Sequence, residues 1–190
     1  MNADLRRELI PRAYALRLIE AIEAMKDRLL TAVEQCQLLD EDGRVPAAPS
    51  YTELLQHATD AKDLSRDVLR LAAGFARSPH HATRAGRTVL KHLGTAVTMS
   101  SRAVSSFAET AEGALALSRS ANPTDRHYLA NRMVIDHASA RAFLRRASES
   151  LHAAATELDG HLGFQHFLAM LTRQEGPPVP PPPGPGGRHR

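Results

Sequence analysis

Glu53, His57, Glu109, Asp136 and His137 reach similar heights when the apolar helical segments of this chain are folded into antiparallel hairpins. Carboxylates and imidazoles gathered at one level of a helical bundle are the donor set from which bundle metal centres are built. Asp136 carries the most weight, because spacing puts it on the apolar seam of its helix, where an unpartnered carboxylate is costly. It needs a partner, which is His57, Arg132 or a metal ion. Glu34, at the same height, points off its seam, and Glu53 is placed to complete a capping box with Ser50. Simple pairing of Asp136 therefore satisfies the layer without a cofactor, and none is expected.

Two further spacings bear on chemistry. Glu149 and His152 stand at i and i+3, the arrangement that puts two ligands of a carboxylate-bridged di-iron centre on one helical face. Such a centre needs a second Glu-x-x-His, and the chain has none. Arg87–His92, Arg132–His137, Arg145–His152 and Arg146–His152 each separate an arginine from a histidine by four to six residues, and a chain with ten histidines and this many arginines yields about three such pairs by chance. In spacing, the pairs resemble the Arg-x4–6-His motif of HEPN-type helical nucleases. That resemblance implies a dimer cleft in which Arg132 and His137, near the seam of the fourth helix, assist attack by a ribose 2′-hydroxyl. No Asn or Asp follows any of the four arginines, as it often does in those nucleases.

Other enzyme classes find no support. The chain lacks a Gly-x4-Gly-Lys phosphate loop, a Gly-x-Gly-x-x-Gly turn, a His-Glu-x-x-His zinc motif and a Gly-x-Ser-x-Gly nucleophile elbow. A net charge of +3 with acidic residues spread throughout differs from the one-sided basic stripe of a dedicated nucleic-acid binder. Arg84, Arg87, Arg141, Arg145 and Arg146 offer at most a weak contact of that kind. The single cysteine, Cys36, excludes an internal disulfide and suits a reducing compartment. Its place on an apolar stripe predicts a buried thiol. The first eight residues have no apolar signal core and no apolar run approaches 18 residues, so the expectation is a cytoplasmic protein without a membrane span.

The elements that must position these residues are all helical. Aromatics make up 4% of the chain and tryptophan is absent, which starves a β-sheet core. Leu18, Ile22, Met25, Leu29, Ala32, Cys36 and Leu39 alternate steps of four and three, a helix-packing seam. Pro11 interrupts that helix near its start and predicts a kink or a separate short helix before it. Ser50 opens a second helix that carries Leu54 to Phe75 on its buried face, and a third from about Thr83 to Arg119 has small and hydroxylated residues along its seam. Asn122-Pro123-Thr124-Asp125 is a strong start signal for the fourth. Gly160 and Gly163 predict that this helix ends there and that 164–172 form a short fifth one. His80-His81 reads as a polar loop tip.

The fold class is thus all-α, an antiparallel four-helix bundle over 1–174, followed by a proline-rich tail over 175–190 too poor in apolar residues to bury. Its Pro-x-x-Pro spacings suit aromatic grooves. Loop positions make the second helix the shortest, so the first and fourth should project past one end of the bundle. They carry Leu5 and Leu9 on one side and Phe164, Phe167 and Leu168 on the other. An uncovered apolar end points to contact with the same chain or another helical protein. The leading functional expectation is therefore a non-enzymatic interaction or scaffold protein that self-associates through this end.

Overall fold

Pro11 starts the first of the described helices rather than kinking it, and the separate short helix expected before it falls on residues 1–8, outside those described. Its fixed φ suits a helix entrance and its carbonyl accepts from the amides of Tyr14 and Ala15, so α1 spans Arg12–Gln35. The computed structural model describes residues 9–174, and Leu5 and the expected tail over 175–190 lie outside them. Ser50 caps α2, Tyr51–Ala76, by accepting from the amide of Glu53 at 3.3 Å. Ser78 and Pro79 introduce one 3-10 turn, Pro79–Ala82, in which His80 leans on the ring of Tyr14 at 4.8 Å between centroids. The Thr83 hydroxyl then accepts from Gly86 to open α3, Arg84–Arg119. Asn122 Oδ1 accepts from Thr124 at 2.9 Å, with Pro123 as first residue of α4, Pro123–Gln174.

α4 is one unbroken helix of 52 residues, about 78 Å at 1.5 Å per residue. The expected break at Gly160 and Gly163 does not occur. Glycine weakens a helix by roughly 1 kcal/mol per residue, too little to stop one that is anchored over ten preceding turns. The relative lengths also differ from expectation. Over the described residues α1, with 24 residues, is shorter than α2, with 26, while α3, with 36, and α4, with 52, are longer, and α4 is the longest.

The four helices alternate in direction. α3 lies along α4, α2 along α3 and α1 along α4, whereas the backbones of α1 and α2 meet only sparsely and those of the diagonal pairs stay apart. Leu18, Ile22, Met25, Leu29 and Val33 of α1 face Leu64, Val68 and Phe75 of α2, Val89, Leu93 and Phe107 of α3, and Leu144, Leu151 and Leu158 of α4 in one continuous core. A smaller cluster of Leu38, Leu54, Ala114, Leu117 and Met133 closes the end near the long loop. The hydroxyls along α3 bond back to the preceding turn, as Thr95 does to Lys91 and Thr98 to Gly94. Ser100, fully buried, also reaches Ser65 of α2. These small side chains let α3 sit close between α2 and α4. No helix among the described residues is long and apolar enough to cross a membrane.

Candidate functional site

The buried face of α4 runs Met133, His137, Ala140, Leu144, Ala147, Leu151, Ala154 and Leu158 in alternating steps of four and three. This path passes through His137, 4% exposed, and corrects the expectation that Asp136 occupies the seam. Asp136 sits one residue to the side, with Oδ2 3.6 Å from Nε of Arg132. A four-residue step from Met133 reaches 137 and a three-residue step reaches 136. The alanines that follow give the sequence no bulky side chain to choose between them.

His137 meets His57 of α2 and Phe107 of α3. Ring centroids lie 6.0 Å apart for the two histidines, 5.4 Å for Phe107 and His137, and 5.8 Å for His57 and Phe107. Nδ1 of His57 and Nε2 of His137 are buried and have no hydrogen-bonding partner among the described residues. Burial pushes His137 down to about 4, with the neighbouring His57 and Arg141 adding in the same direction. His57 is lowered by burial too, against the pull of Asp60 and Glu53. Both rings are therefore neutral near pH 7, with His137 a polar group inside the core and His57 at its edge.

His57 also forms part of the wall of a cleft. Because α1 and α2 meet sparsely, a hollow of about 460 Å³ opens between them, lined by Asp27, Thr31, Cys36, His57, Asp60 and Asp63. Arg28 and Asp67 bridge its rim at 2.8 Å. A second hollow, about 270 Å³, lies beneath Pro46 and Pro49 on the other side of His57 and includes Glu53. Burial, helped by Asp60, pushes the Cys36 thiol up to about 11 and keeps it protonated. A thiol in that state is a poor nucleophile and a poor metal ligand.

The residues expected to act together are thus distributed as follows. His57 and His137 meet, while Glu53 and Glu109 are exposed and Asp136 is engaged by Arg132. Among the described residues no three His, Cys, Asp or Glu side chains are gathered so as to hold a metal ion. Arg132 is largely exposed at the surface and His137 is in the core, five residues on. Glu149 is exposed, and His152 approaches Glu23 of α1 instead, at 3.7 Å. Arg84, Arg87, Arg145 and Arg146 are exposed, whereas Arg141 is half-buried and donates to the Val33 carbonyl at 3.0 Å.

The end of the bundle holds the second candidate. Ile10, fully buried, donates its amide to Nε2 of His161 at 3.0 Å, and Gln165 donates to the Ile10 carbonyl at 2.6 Å. This clamp fastens the entrance of α1 to α4. A hollow of about 800 Å³ beside it is lined by Leu9, Arg84, His152, Thr156, His161 and Phe164. Beyond Gln165, α4 continues for nine residues to Gln174, about 13 Å. Phe164, Phe167, Met170 and Leu171 are 52%, 56%, 53% and 47% exposed along this arm, and Leu168 is half-buried. The clamp could not be anticipated, since an amide at Ile10 and an imidazole 151 residues later share no sequence signal. Compared with family models, curated proteins and solved structures, the chain matches none.

Proposed function

We propose that the chain is a non-catalytic helical scaffold that associates with other helices, itself included, through the projecting end of α4. The observation that carries this reading is the row Phe164, Phe167, Met170 and Leu171, four large apolar side chains each about half exposed within eight residues of one helix. Scattered apolar residues on a surface need no explanation, but a contiguous row on an element that extends past its neighbours is the form a contact surface takes. The interior supports the same reading. Its titratable groups are a protonated thiol and two neutral imidazoles, which can support packing but offer no activated nucleophile. The single reduced thiol fits a cytoplasmic location.

Sedimentation over a range of concentrations tests the proposal. Wild type should shift from monomer to dimer, and Phe164→Asp/Phe167→Asp should remain monomeric with unchanged helical circular dichroism, because both positions lie outside the core. A wild-type chain that stays monomeric at every concentration would remove the reading.

A further inference from the structure

The exposed face of the arm has an order that a generic apolar patch would not need. Reading along it, the residues are Gly160, Gly163, Phe164, Phe167, Met170 and Leu171, spaced so that each turn returns to the same side. About Phe167 the spacing is palindromic. Gly163 and Leu171 lie four residues to either side, and Phe164 and Met170 three. Volumes alternate across this centre, glycine against leucine and a ring against a thioether.

We infer that the partner of the arm is a second copy of the same arm, lying antiparallel about a two-fold axis at Phe167. This rests on the reading above, that the arm is an association surface. In this register Leu171 of each copy drops onto Gly163 of the other, Phe164 meets Met170, and the two Phe167 rings meet at the axis. Helices approach closely where glycine leaves a gap, and a Cβ built at Gly160 or Gly163 meets nothing within 4 Å among the described residues. Glycine weakens an exposed helix, and nothing among the described residues explains two of them three residues apart. A leucine received from outside explains Gly163. Methionine sulfur against an aromatic ring is likewise a favourable contact.

The area suits a dimer that forms and separates. At about 150–250 Å² for a large side chain, four half-exposed ones offer roughly 400 Å² per copy and roughly 800 Å² for two. Stable interfaces begin near about 1,200 Å², so the arms with their glycine backbone and rim fall at the low end. A two-fold contact is also closed, so it stops at two copies instead of growing into a filament.

Single cysteines on the full chain test the register, with the wild type as control because Cys36 is buried and protonated. Under a short thiol cross-linker, Phe167→Cys should link to itself, and Gly163→Cys and Leu171→Cys should link only when the two chains are mixed. Leu171→Cys linking to itself as readily as in the mixture would mean parallel arms and overturn the proposal. So would the absence of all links from the three cysteine variants when the wild type dimerises and loses the dimer in Phe164→Asp/Phe167→Asp, a result that leaves the broader reading standing. A monomeric wild type removes both. Gly163→Leu adds a better helix former at an exposed site, so the monomer should remain folded while the dimer weakens at least tenfold. An unweakened dimer in that variant overturns the proposed register.

Discussion

His137 shows at the residue scale what a single polar side chain does to a core. Its ring is enclosed by His57, Phe107 and the apolar face of α4, and Nε2 has no partner among the described residues. The unfolded chain binds a proton at this ring below about pH 6.5, while the folded chain resists it until about pH 4. The stability the ring contributes is thus complete above pH 6.5, declines as pH falls from there, and has no further to fall below about pH 4. One pKa unit corresponds to about 1.4 kcal/mol, so the loss from this ring alone is about 3 kcal/mol. Urea denaturation of wild type at pH 7 and pH 4.5 should show this loss, and His137→Leu, which fills the space without a titratable group, should show much less of it. Equal acid sensitivity in the two proteins would place the effect elsewhere. His161 adds a second, local sensitivity. Burial lowers it against the pull of Glu157, and a proton on the nitrogen that accepts from Ile10 would release the clamp.

The elements were legible in the sequence where their signals are local. Ser50 and Asn122 each cap the helix they announce, because a cap needs only a side-chain oxygen and an amide two or three residues on. Choices that depend on another helix were not legible. The seam of α4 passes through His137 instead of Asp136, a difference of one residue that only the faces of α2 and α3 decide. Gly160 and Gly163 read as a stop by propensity, yet α4 continues through them. Arg126 gave no signal either. It donates to Leu117, Ser120 and Ala47, tying the α3–α4 turn to the long loop before α2. Charge-assisted bonds to carbonyls are worth about 1.5–3 kcal/mol each before water replaces them, so Arg126→Ala should destabilise by about 2 kcal/mol in thermal unfolding. Gly86 is a stricter position, since a Cβ there would overlap the carbonyl oxygen of His80 and crowd the Thr83 hydroxyl. Gly86→Ala should therefore cost more than the helix propensity it gains, lowering the melting temperature by several degrees. A melting temperature equal to or above wild type would show that the 3-10 turn yields easily.

At the scale of the whole molecule the bundle is uneven, tight along α2–α3–α4 and open between α1 and α2. If two copies pair through their arms, the melting temperature must rise with protein concentration, as it must for any equilibrium that binds the folded state alone. Calorimetry at two concentrations a hundredfold apart checks this, and Phe164→Asp/Phe167→Asp should show no such rise. The overall architecture could be read from composition and periodicity because a four-helix bundle needs little more than apolar seams and short turns. Which of the four faces would be left loose could not, since every helix carries a full seam. That looseness also orders events at the ribosome. The principal partner of α1 is α4, so its apolar face must wait for more than a hundred further residues to be synthesised, roughly 5–25 s at about 5–20 residues per second. The nascent chain thus exposes its first helix longest, and that helix is where a holding chaperone has its best opportunity to bind.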